Sequence, residues 1–161
     1  MRFFAALCLL AVSNTAVNAE WLFHQKASAF LDEKETFVSA QAEGNSLAFR
    51  CDRKEVQAVF FVSNASPVTK PGQLAIGTLL FRVDDRPTVT ALGRSDARDG
   101  GVRVSARVES SFLEDVRQAK KRLAVAILAD EGLLHETSYS VDGVKRVLTQ
   151  FIQACPVASQ Y

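Results

Sequence analysis

From Gly101 onward the chain alternates: Val102, Val104, Ala106 and Val108 are apolar, while Arg103, Ser105 and Arg107 are polar. A period of two sends these sets to opposite faces of a strand, one toward a core and one toward water. Looser alternation marks further strands from Trp21 to Ala29 and from Thr36 to Ala42, and Leu47 to Cys51 follows the turn signal Gly44-Asn45. Val56 to Val62 is a β-branched and aromatic run suited to a strand covered on both faces. After a loop through Ser63-Asn64-Ala65-Ser66-Pro67 and Pro71-Gly72, Ile76 to Val83 resumes a strand. Asp84-Asp85-Arg86-Pro87 turns it, and Thr88 to Leu92 returns, with Arg94 and Arg98 in the loop before the alternating strand. Leu123 to Leu128 and His135 to Val141 complete the set around a turn at Asp130-Glu131-Gly132.

Two segments switch to helical spacing. Ser111-Phe112-Leu113-Glu114 fits a capping box, in which Ser111 and Glu114 satisfy free backbone N–H groups. Phe112, Val116, Ala119 and Leu123 then recur at helical steps, and the basic run Lys120-Lys121-Arg122 suits a helix C-terminus. The second helix is expected to start with Asp142 as N-cap. Its apolar stripe runs through Val144, Val147, Leu148, Phe151, Ile152 and Cys155, and Pro156 ends it. The fold class expected is therefore mainly β with two helices (α+β). An antiparallel β-sandwich or a curved sheet would carry one helix inserted late and one at the C-terminus.

The N-terminus reads differently from the rest. Arg2 is followed by a charge-free apolar run from Phe3 to Val12, then polar residues and the small-residue site Val17-Asn18-Ala19. That order is a secretory signal with cleavage after Ala19, leaving a single domain over residues 20–161. The run is shorter than the roughly 20 residues a membrane-spanning helix needs. Of 19 basic and 18 acidic side chains, the leader removes Arg2 alone, so the mature chain balances. Phosphate backbones are bound by excess Lys and Arg, so nucleic acid is not an expected partner.

Export changes the meaning of the cysteines. Cys8 leaves with the leader, and Cys51 and Cys155 remain. In an oxidising compartment such a pair is read as a disulfide. It would staple the final helix to the strand ending at Cys51, and a loop of roughly 100 residues is worth about 4.7 kcal/mol in the chain-entropy model.

No catalytic set selects itself. His24 and His135 both lie in predicted strands, and no nucleophile-elbow motif is present. The acid pairs Asp84-Asp85 and Asp130-Glu131 sit in turns, where they start the turn rather than face each other across a cleft. No metal or cofactor is expected, since a lone cysteine pair lacks the neighbouring ligands of a metal site. Basic residues do cluster: Arg94, Arg98, Arg103, Arg107, Arg117, Lys120, Lys121 and Arg122 fall within one stretch, with acids interleaved. They are the candidate docking surface for an acidic partner or an anionic envelope polymer.

Four features share an outline with a known set of proteins. They are Trp21 early in the mature chain, the apolar strand Leu47 to Cys51, the strand end Arg82-Val83-Asp84-Asp85, and the helix from Gly143 to Cys155. In these the chain resembles small exported bacterial proteins of the VasI type, accessories of type VI secretion. The resemblance implies a periplasmic accessory protein and carries over no catalytic residue. The leading expectation is a non-enzymatic binding or accessory protein of the bacterial envelope, periplasmic or secreted, whose partner is another envelope protein. The alternatives are an inhibitor of an envelope-directed enzyme such as lysozyme, and a cell-wall hydrolase using His135 or paired acids.

Overall fold

In a computed structural model of the chain, which describes residues 19–27, 34–52, 55–65, 74–129 and 132–158, nine strands form one antiparallel sheet. In chain order they are β1 (Leu22–Ala27), β2 (Lys34–Ala42), β3 (Asn45–Cys51), β4 (Val56–Ser63), β5 (Leu74–Val83), β6 (Val89–Arg98), β7 (Gly101–Val108), β8 (Arg122–Ala129) and β9 (Gly132–Ser140). Helix α1 (Ser110–Arg117) lies between β7 and β8, and α2 (Val144–Ala154) follows β9. The strand order is β1-β2-β3-β4-β7-β6-β5-β8-β9, curled into a half-barrel. Of the two forms expected for a mainly β chain, the curved sheet is the one found. The predicted leader up to residue 18, part of the 63–67 loop and the turn residues Asp130 and Glu131 lie outside the described residues. Ala19, which the expected cut would remove, is buried beside Trp21.

Alternation explains the layering. Strands β3 and β4 bury every second residue (Asn45, Leu47 and Phe49; Val56, Ala58, Phe60 and Val62), and β7 buries Val102, Val104, Ala106 and Val108. These faces line the concave side. Phe112 of α1 reaches into it, with its ring 6.2 Å from Phe49 on β3 and 4.8 Å from Phe81 on β5. Those strands are four positions apart in the sheet, so only a strongly curled sheet brings both to one side chain. Val144, Val147, Leu148 and Phe151 of α2 join the same core.

Small residues permit the curl. Gly77, Gly93 and Ala106 are successive partners across β5, β6 and β7 on the concave face. A Cβ on Gly93 would stand 1.9 Å from the Ser105 carbonyl oxygen, so the strands approach there closer than any side chain allows. Near the open edges, Trp21 Nε1–H donates to the Ser140 carbonyl at 2.7 Å, and Asn45 Nδ2 donates to Thr137 Oγ1 at 3.0 Å. These bonds tie the start of the sheet to β9 without a backbone ladder.

Three local expectations change. Arg94 and Arg98 belong to β6, because the returning strand runs on to Arg98 rather than ending at Leu92. Helix α1 begins at Ser110 behind Glu109 and has no side-chain cap; Glu114 turns to Arg117 and Gln118 instead of back to the helix start. The helix ends at Arg117, and Leu123 of the expected helical stripe is a β8 residue. Helix α2 is preceded by Gly143 in the left-handed region, φ 77°, not capped by Asp142. The Asp142 carboxylate accepts from the Ser140 hydroxyl at 2.8 Å instead.

Candidate functional site

Cys51, the last residue of β3, is bonded to Cys155, the first residue past α2, with Cα atoms 5.7 Å apart. Cys155 is fully buried. Its extended backbone (φ −106°, ψ 105°) lets the chain leave the helix axis toward β3. The bond pins the end of α2 against the concave face that α2 covers, the staple that the apolar stripe of α2 predicts.

The eight basic residues do not form one group. Arg94, Arg103 and Arg107 sit on the convex face of β6 and β7, where Arg94 pairs with Ser105 and Arg103 with Asp96. Arg98 lies at the opposite end of these strands from the α1–β8 connection that carries Arg117, Lys120, Lys121 and Arg122. Most are matched by acids. Arg103 grips Asp96 through two bonds of 2.9 and 2.7 Å, and Arg117 grips Glu114 through two of 2.7 and 2.6 Å. Lys121 Nζ lies 2.6 Å from Asp85, Arg98 pairs with Asp99 at 3.3 Å, and Arg107 with Glu109 at 3.7 Å. Among the described residues, the side chains of Arg94, Lys120 and Arg122 make no ion pair within 4.0 Å, although the Arg122 charge, after Lys121, helps to hold Asp85 below the usual aspartate range. The Arg117 guanidinium holds the Glu114 carboxyl below its usual range, with help from Gln118.

The acid pair that follows β5 has a structural task. The Asp84 carboxylate accepts three consecutive backbone N–H groups, from Lys120 at 3.0 Å, Lys121 at 2.8 Å and Arg122 at 3.0 Å. Asp84 itself takes φ 51° and donates its N–H to the Arg122 carbonyl at 2.9 Å. Burial pulls the carboxyl upward, but the three amide donors and the nearby Lys121 charge outweigh it and hold Asp84 below the usual aspartate range. Arg86 pairs with Asp115 of α1. The Arg82-Val83-Asp84-Asp85 sequence thus clamps the β5–β6 turn to the connection leaving α1.

The histidines are engaged separately. His135 Nε2 lies 3.0 Å from Asn45 Nδ2 and 3.2 Å from Thr137 Oγ1, in the seam between β3 and β9. His24 Nε2 lies 3.2 Å from Ser39 Oγ on the convex face, its ring stacked 4.5 Å from Phe37. Strand register brings His24 and Ser39 together across a gap of 15 residues, which no local motif announces. Among the described residues, no group of three or more His, Cys, Asp or Glu is placed to hold a metal. No helix there is long and apolar enough to cross a membrane.

Sequence reasoning missed an exposed apolar group. Ile76 on β5 is 86% exposed, Leu92 on β6 71% and Leu128 on β8 40%, all on the convex face. The signal was present in β5. There Gly77, Leu79, Phe81 and Val83 take the concave face, and Ile76, Thr78 and Leu80 leave the other face almost equally apolar. No family model, curated protein or solved structure matches the chain.

Proposed function

We propose that the chain is a non-enzymatic accessory protein of the bacterial envelope, acting in the periplasm by binding another envelope protein, as the VasI-type resemblance implies. The observation that carries this reading is the filling of the concave side. A curled sheet forms a natural cup for a small molecule, but here Phe112, Leu113 and Val116 of α1 and Phe151 of α2 pack into it. The surface left for recognition is the outside of the sheet and its ends, which suits a macromolecular partner. The disulfide supports an oxidising compartment. Two of the groups considered for hydrolysis hold the fold: His135 joins the seam to Asn45 and Thr137, and Asp84 clamps three amides.

Lys120 and Arg122, whose backbone the Asp84 clamp holds, are the docking cations of the reading. Crosslinking in intact cells, followed by identification of the attached protein, tests it. A single envelope protein is expected, recovered about tenfold less with Lys120→Gln and Arg122→Gln together. Unchanged recovery from that variant removes docking through this edge. Inhibition of a lysozyme at micromolar concentration replaces the reading with the inhibitor alternative.

A further inference from the structure

We draw no further inference here: the strongest candidate, the exposed apolar patch of Ile76, Leu92 and Leu128 on the convex face of β5, β6 and β8, carries nothing because nothing in the structure shows what covers it.

Discussion

Tyr139 shows how one residue departs from the rule that buried polar atoms are paired. Its side chain is fully buried and its ring lies 6.2 Å from Trp21, yet its hydroxyl has no partner among the described residues. Burial alone pushes its ionisation upward. A buried hydroxyl without a bond costs stability that an apolar ring of the same shape does not. Tyr139→Phe is therefore expected to raise the unfolding free energy by about 1 kcal/mol in chemical denaturation; a loss of that size would mean the hydroxyl is bonded. Asp84 is the opposite case, three donors on one carboxylate. Its folded-state pKa is depressed. Its contribution is thus fully present above about pH 4 and is lost as pH falls through the lower folded value. Asp84→Asn is expected to flatten the stability profile below about pH 4 and to cost about 1 kcal/mol at neutral pH, a modest figure because the group is partly open to water. An unchanged acid limb would show that the clamp does not set it.

Among the elements, the strands were the most legible, because alternation of apolar and polar side chains is written locally. The stretch from Val102 to Val108 and the run from Val56 to Val62 come out as β7 and β4 almost residue for residue. Helix ends were less legible. Ser111 and Glu114 match a capping box, but Glu114 has a guanidinium three residues on, and that charge outcompetes a backbone amide. The extension of β6 through Arg94 and Arg98 was hidden by its polar composition: its partners on β7 supply the ladder that its side chains do not suggest. The tight turn of the sheet depends on a glycine with no local signal. Gly93→Ala drives a Cβ against the Ser105 carbonyl, and neither strand can yield without breaking the β6–β7 ladder. The expected cost is about 3 kcal/mol in a denaturant titration; a variant as stable as the parent would contradict the close approach.

For the whole molecule, the sequence set the class and the covalent tie, and topology decided the rest. Two cysteines 104 residues apart could be paired by arithmetic and by the stripe through Val144, Val147, Leu148 and Phe151. Whether the basic residues met could not be read, since strand direction and register put Arg98 and Lys120 at opposite ends of the sheet. Nor could the exposed set of Ile76, Leu92 and Leu128, which three different strands contribute. The account rests on one arrangement: a sheet curled around two helices and closed by a bond between β3 and the end of α2. Peptide mapping of the protein taken from its native compartment, alkylated before any reduction, tests that most directly. The account predicts one linked peptide pair joining Cys51 to Cys155, with no alkylated form of either. Both cysteines recovered as free, alkylated thiols would contradict it.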